Sequence, residues 1–205
     1  MLERPGFDRK RKTLEPCARC RMHVNRCFCG EIPTLDLGTR VSVLIHAKEL
    51  KRTSNTGRLA TLALTNSDLH IRGVKGQSFE AKNILDEAYQ PLLFFPSDDA
   101  TELTPAFVSK FKKPIQLIVP DGNWRQASKV NTRYPEFADI PRVVISAPNT
   151  SQYVLRKETT PEGMATLQAI AVAMSVIEGP ETGTELMKLY DLKLKQTLIG
   201  RGVKI

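Results

Sequence analysis

The stretch Ile115-Gln-Leu-Ile-Val119-Pro120-Asp121-Gly122-Asn123-Trp124 changes character in one step. Ile115 to Val119 is nearly continuous in apolar, β-branched side chains, the pattern of a strand buried on both faces. Pro120, Asp121, Gly122, Asn123 and Trp124 then bring a carboxylate, an amide and an indole to the strand's end, more than a plain turn needs. Trp124 to Tyr134 reads as helical. In open α/β sheets ligands bind beyond the carboxyl ends of strands, so this junction is both a fold signal and a candidate site.

Working outward, the unit repeats. Val41-Ser-Val-Leu-Ile45 reads as a second buried strand, followed by a helix over 50–65 with a break near Gly57. Asp68-Leu-His-Ile71 is a weaker strand and Ala81 to Ala88 a short helix. Leu92-Leu-Phe-Phe95 and Arg142-Val-Val-Ile-Ser146 are further strands, and Ser97 to Phe111 is an irregular connection or holds a short helix. Thr166 to Ile177 predicts a long apolar helix and Thr184 to Leu198 an amphipathic one. The fold class is therefore α/β, a mostly parallel sheet flanked by helices.

The chain has 205 residues, 41% of them apolar, enough for one α/β core with a small appendage. Thirty Lys+Arg against 22 Asp+Glu give a net charge of +8, which points to an anionic partner, nucleic acid first. No apolar run reaches the roughly 18 residues of a membrane span. The basic run Arg9 to Lys12 leads into Thr13, Glu15 and Pro16 instead of an apolar stretch, so no secretory leader is expected. A soluble cytoplasmic protein, monomeric in the simplest case, is the working class. It divides into a flexible basic arm (1–16), a four-cysteine knuckle (17–38) and an α/β domain (39–205). The arm reads equally as a solubilising terminus or as a contact to a polyanion.

All four cysteines lie in one short segment, as Cys17-x2-Cys20, x6, Cys27-x-Cys29. The first spacing lets a turn bring two thiolates onto one tetrahedral ion, and Gly30 frees the backbone after the second pair. Four soft ligands suit Zn²⁺ and leave no open position, so the zinc would be structural. His23 could replace one cysteine. An iron–sulfur cluster, disulfides or unligated thiols are the competing readings, although Cys-x-Cys is a poor disulfide. Ala18, Met22, Val24, Phe28 and Ile32 are the segment's only core material, too little to hold it by burial. Arg19, Arg21 and Arg26 make the knuckle a phosphate-contacting surface.

Three more polar segments follow strands or precede helices. His46-Ala-Lys-Glu49-Leu-Lys-Arg52 would, as a helix, pair His46 with Glu49 and Glu49 with Arg52. Asn55, Thr56, Gly57 and Arg58 then offer caps and free N–H groups at a helix start. A solvated basic helix with an ordinary cap explains the same residues. Ala147-Pro-Asn-Thr150 and Leu155-Arg-Lys-Glu-Thr-Thr-Pro-Glu162-Gly163 lead toward the apolar helix, and ordinary loops and caps account for them as well. At the decisive junction Asp121 or Asn123 could be a cap and Trp124 a core residue. No Gly-x-Gly-x-x-Gly follows a strand and no Walker A loop is present, which removes the usual nucleotide-binding folds. Paired glycosidase carboxylates and a Cys–His nucleophile are also absent.

Taken together the segments resemble the DTW-domain family, the tRNA-uridine aminocarboxypropyltransferases. The pieces are Cys17-x2-Cys20-x6-Cys27-x-Cys29; His46-x2-Glu49-x2-Arg52 with Ser54-Asn55-Thr56-Gly57-Arg58; Asp121-Gly122-Asn123-Trp124-x2-Ala127-x-Lys129; and Leu155-Arg156, Glu162-Gly163 and Ala165-Thr166-Leu167-Gln168-Ala169. They occur in order from residue 17 to about 180.

That resemblance implies an S-adenosylmethionine-dependent enzyme moving the 3-amino-3-carboxypropyl group to N3 of a tRNA uridine. It also implies a SPOUT-like fold, related to the knotted methyltransferases of that type; the structural Zn²⁺ on Cys17, Cys20, Cys27 and Cys29 stays the reading of their spacing. By likeness Asp121, Asn123 and Trp124 are the catalytic residues. The cofactor would be held by Asn55, Thr56, Gly57, Arg58, Pro120, Gly122, Leu155, Glu162, Gly163, Thr166 and Gln168. The RNA would contact His46, Glu49, Arg52, Arg125 and Lys129. Two positions depart from the family pattern: Asn123 stands where threonine is usual, and Ala165-Thr166-Leu167-Gln168-Ala169 replaces Ser-Thr-x-Glu-Ala, losing a carboxylate. An RNA methyltransferase, a ribosomal RNA aminocarboxypropyltransferase, and a catalytically inactive zinc-stabilised RNA-binding protein are the rival readings.

Overall fold

A computed structural model describes residues 15–146 and 164–203. The elements are β1 (Arg40–His46), α1 (Gly57–Ala63), β2 (Ser67–Arg72), β3 (Gln90–Phe94), β4 (Thr101–Glu102), α2 (Pro105–Val108), β5 (Ile115–Asp121), α3 (Trp124–Ala127), α4 (Lys129–Arg133), β6 (Arg142–Val144), α5 (Thr166–Ile177) and α6 (Pro180–Gly200). The strands form one sheet in the order β2-β1-β5-β3-β6-β4. Every pairing is parallel.

The sheet is parallel because its central strands are too apolar to leave a face in water. All seven residues of β5 are buried, as are the five central residues of β1. Successive side chains alternate between the two faces. Val43, Leu117 and Val119 point into a core with Leu59 of α1, Leu167, Ile170 and Met174 of α5, and Leu186 and Tyr190 of α6. Leu44, Leu93 and Ile118 point the other way, onto Ile84, Val130, Phe137 and Ile140. Helices α5 and α6 meet closely at Gly183, where a Cβ would stand 2.8 Å from the Ala171 carbonyl oxygen.

The cysteine segment joins the larger core directly. Cys20, Met22 and Phe28 are buried in it, and Lys193 of α6 donates to Met22 Sδ at 2.9 Å. The linker is then stitched to α1, with Leu35 N donating to the Ala63 carbonyl at 2.8 Å.

Three expected helices change form. Residues 50–56 are turns, and α1 starts only at Gly57. The adjacent cations Lys51 and Arg52, followed by Thr53, Ser54 and Asn55, give that stretch poor helix support, because short polar side chains bond locally instead. Trp124 to Tyr134 divides into α3 and α4 at Ser128. Residues 81–84 form one 3₁₀ turn in place of the helix over 81–88. The irregular 97–111 segment contains the short edge strand β4 and α2, capped by Thr104 Oγ1 on Phe107 N at 3.1 Å.

Candidate functional site

Adjacent strands β1 and β5 end together, with Ile45 opposite Asp121. Asp121 is buried, 3% exposed. Asn55 Nδ2 donates to its Oδ2 at 2.5 Å, and Thr166 Oγ1 donates to its Oδ1 at 2.7 Å. Gly57 lies so close that a Cβ there would stand 2.6 Å from Oδ2. One carboxylate therefore ties the segment before α1 to the first residue of α5. A second tie runs alongside, with Leu167 N donating to Thr56 Oγ1 at 3.1 Å. Asn55 also accepts from Arg58 N through Oδ1 at 3.4 Å, so both ends of its amide are used.

Asn123 and Gln126 close a reciprocal cap on α3: Gln126 N donates to Asn123 Oδ1 at 2.9 Å and Asn123 N to Gln126 Oε1 at 2.8 Å. Asparagine is among the best caps, so this explains the polar residue before Trp124 without any substrate. Trp124 is 59% exposed, with its ring 5.1 Å from that of buried Phe95. An indole left mostly in water and backed by a second aromatic is a stacking surface, not core. Gln168 is buried and accepts from Ala165 N at 3.0 Å, capping its own helix.

Around β1's end, His46 Nδ1 accepts from Lys48 N at 3.2 Å. Burial, then the charges of Arg72 and Lys48, hold this imidazole below its usual pKa. Glu49 is buried and pairs with Arg52 at 3.1 Å. Residues 47–49 form only a 3₁₀ turn, with His46 extended as its cap. The expected Glu49–Arg52 pair thus forms, while His46 is used by the cap. Arg58 is half-buried, and burial followed by the nearby charge of Arg21 lowers its pKa.

In the knuckle the sulfurs of Cys17, Cys20, Cys27 and Cys29 all lie within 4.8 Å of one another. The Cys17–Cys29, Cys20–Cys27 and Cys17–Cys27 separations are 3.6, 3.8 and 3.5 Å. Thiolates about 2.3 Å from one tetrahedral ion would be about 3.8 Å apart, so the residues fit a single such ion. No disulfide joins them. Hydrogen bonds from the backbone of Cys20 and Arg19 pull Cys17 down to about 6, whereas burial pushes Cys29 up to about 12. Four thiols this close resist ionising together without a cation among them. His23 is not in the cluster; its Nδ1 accepts from Asn25 N at 3.2 Å.

The DTW domain model matches residues 14–198. The chain belongs to the DTW-domain family. It is 28% identical over 182 residues to tRNA-uridine aminocarboxypropyltransferase 2 of Drosophila melanogaster, covering 84% of this chain and 70% of that protein. The protein of the same name from Mus musculus is 26% identical over 169 residues, 79% of this chain and 56% of its own length. The Macaca fascicularis protein is 25% identical over 167 residues, again 79% and 56%. The chain therefore spans little more than half of these mammalian relatives. Among solved structures, the SAM-dependent rRNA:acp-transferase Tsr3 from Vulcanisaeta distributa superposes with a TM-score of 0.49 at 18% identity, over 81% of this chain and 80% of that one.

Within this DTW domain the structure brings Asn55, Thr56, Gly57, Pro120, Asp121, Thr166 and Gln168 to one end of the sheet. Trp124, Arg125 and Lys129 follow on α3 and α4. Leu155, Glu162 and Gly163 lie outside the described residues. Two residues escaped the sequence reading. Arg72 is buried at the end of β2 and donates to the Gln126 carbonyl at 2.8 Å, holding the end of α3. Phe95 backs the indole. Arg72 follows directly on the weak strand Asp68–Ile71, and an arginine at that strand end was the available signal.

Proposed function

We propose that this DTW-domain protein transfers the 3-amino-3-carboxypropyl group of S-adenosylmethionine to N3 of a uridine in tRNA. The observation that carries the reading is the buried Asp121 carboxylate beside the exposed Trp124 indole at one strand end. The similarity to tRNA-uridine aminocarboxypropyltransferases supports the group transferred and the RNA class.

When bound, the cofactor supplies a carbon made electrophilic by the adjoining sulfonium; N3 forms the new N–C bond as C–S breaks, and methylthioadenosine leaves. The chain's own residues do the rest. Asp121 orients the uridine imide or accepts the N3 proton. Trp124 stacks on an unpaired base, for which about 1–3 kcal/mol is typical. Asn55 and Thr166 hold the carboxylate in place so that geometry selects the reacting carbon over the methyl. Zinc on the four cysteines is structural, fixing the knuckle on α6.

Purified protein, unmodified tRNA transcript and S-adenosylmethionine labelled either in the methyl or in the carboxyl carbon test this. Carboxyl label in the RNA with methylthioadenosine released is the expected result. Methyl label alone would make the protein a methyltransferase. Neither label entering, with cofactor and RNA both bound, would leave a binding protein.

A further inference from the structure

Between the knuckle and the start of α1 lies a shallow notch whose lining includes Arg21, Arg52, Asn55 and Arg58. Three guanidinium groups border it, and no carboxylate does. Arg52 has Glu49 as a partner outside the lining. Arg21 Nε is buried without a hydrogen-bond acceptor among the described residues. Its charge is felt by Arg58 across the notch. Buried N–H donors are nearly always satisfied, so an orphan beside two like charges points to an absent anion.

The backbone at Arg21 adds a separate argument. Its φ is +61°, a left-handed conformation that glycine or asparagine adopts more easily. The turn is closed by Arg21 N donating to the Cys17 carbonyl at 3.0 Å and Cys17 N to the Met22 carbonyl at 2.7 Å. The knuckle therefore carries an arginine where its backbone favours another residue, aimed at two more arginines from the α/β domain.

We propose that the Arg21–Arg52–Arg58 notch binds a backbone phosphate of the RNA, and that it is the means by which the knuckle takes part in substrate binding. The inference rests on the RNA-modifying function proposed above. Planar guanidinium groups match phosphate oxygens bidentately. Asn55 lines the notch and also holds Asp121, so a phosphate seated there fixes one nucleotide relative to the carboxylate. The carboxylate of the cofactor offers similar oxygens, and the experiment separates the two sources.

The test is the salt dependence of tRNA-transcript binding by the zinc-loaded full chain, wild type against Arg21→Gln. One lost phosphate contact should flatten the log–log slope by about 0.7–0.9. Transcripts made neutral at single positions by methylphosphonate should then show one linkage that weakens the wild type and leaves Arg21→Gln unaffected. S-adenosylmethionine affinity, measured calorimetrically without RNA, should be equal in both proteins. An unchanged slope, or a loss confined to cofactor affinity, overturns the proposal; the latter assigns the notch to the cofactor carboxylate. Wild type that fails to bind tRNA at all overturns the underlying function as well. Arg58→Gln, on the other side of the notch, carries the same measurement should Arg21→Gln lose its zinc.

Discussion

Asn55 and Asp121 are joined side chain to side chain across 66 residues of sequence, Nδ2 to Oδ2. The bond links a turn that never became helix to the end of the most buried strand. Thr166, from the opposite direction, completes a three-way junction on one carboxylate. Asp121→Asn keeps the size of the side chain but cannot accept a proton. If Asp121 is the general base, transfer should fall by about 10²–10⁴-fold. The expected companion result is cofactor binding within a few-fold of wild type. Full activity in Asp121→Asn would remove the carboxylate from the chemistry.

Gly57 tests the junction by crowding it. An alanine Cβ would meet Asp121 Oδ2 at 2.6 Å and Val43 Cγ1 at 3.2 Å. The carboxylate, held by both Asn55 and Thr166, cannot move aside without losing a bond. Gly57→Ala should cost about 1–3 kcal/mol of stability, as overpacking does. Transfer should fall further than stability alone explains, read as kcat at a temperature where the variant is fully folded. A variant as stable and as active as wild type would show that the junction yields easily.

The parts of this architecture that could be read from sequence are those set by local periodicity. The predicted helix 166–177 coincides with α5, and the predicted strands at 41–45 and 115–119 lie inside β1 and β5, because apolar runs this dense leave little choice. The turns over 50–56 were lost to the choice between helix and local side-chain bonding, which Asn55 settles through a partner far along the chain. Spacing likewise assembled the four cysteines, whose ligand pattern is local. It could not show that Thr166 meets Asp121 from 45 residues away. The cap offered for Asn123 forms, whereas nothing local showed that Gln168, the other departure from the family pattern, caps its own helix as well.

Trp124 is the chain's only tryptophan, so its fluorescence reports the site directly. At 59% exposure its indole contributes little to the core. Trp124→Ala should leave the melting temperature nearly unchanged while weakening RNA binding by about 1–3 kcal/mol, with Trp124→Phe recovering most of it. Quenching on addition of tRNA transcript is the accompanying signal. A large stability loss in Trp124→Ala with RNA affinity intact would assign the ring to packing against Phe95.

The edge of the sheet carries an acid-sensitive clasp. Arg40 Nε donates to Asp68 Oδ2 at 2.8 Å and Arg40 also reaches Asp86 at 3.0 Å, while His70 pairs with Asp68. Burial pushes the Asp68 carboxyl up, but hydrogen bonds from His70 and Arg40 outweigh it and hold the group below its ordinary 3.8. A depressed folded value means the stabilisation is complete above the unfolded pKa and disappears as pH falls through the folded one. Denaturant midpoints should therefore drop on acidification below about pH 4. Asp68→Asn should be less stable at neutral pH and show a shallower acid decline; an equally steep decline would place the sensitivity elsewhere.

Lys193 is 1% exposed, yet its closest partner is the sulfur of Met22 at 2.9 Å, with Thr197 Oγ1 at 4.0 Å from the same atom. Burial brings its pKa down to about 8, with the nearby Cys20 opposing. A neutral core would have no use for this cation, whereas the proposed zinc with its four thiolates would carry two negative charges beside it. Lys193→Met should therefore lower zinc affinity by about 10-fold, the low end for groups that support a metal's ligands. The metal-free variant should be at least as stable as metal-free wild type, because an isolated buried charge has gone. Chelator competition followed by thermal melting of both metal-free proteins measures the two effects. Since Cys20, Met22 and Phe28 belong to the main core, zinc removal should lower one cooperative transition and not melt the knuckle separately. Equal zinc retention in Lys193→Met would mean that the ammonium is tolerated there for packing alone.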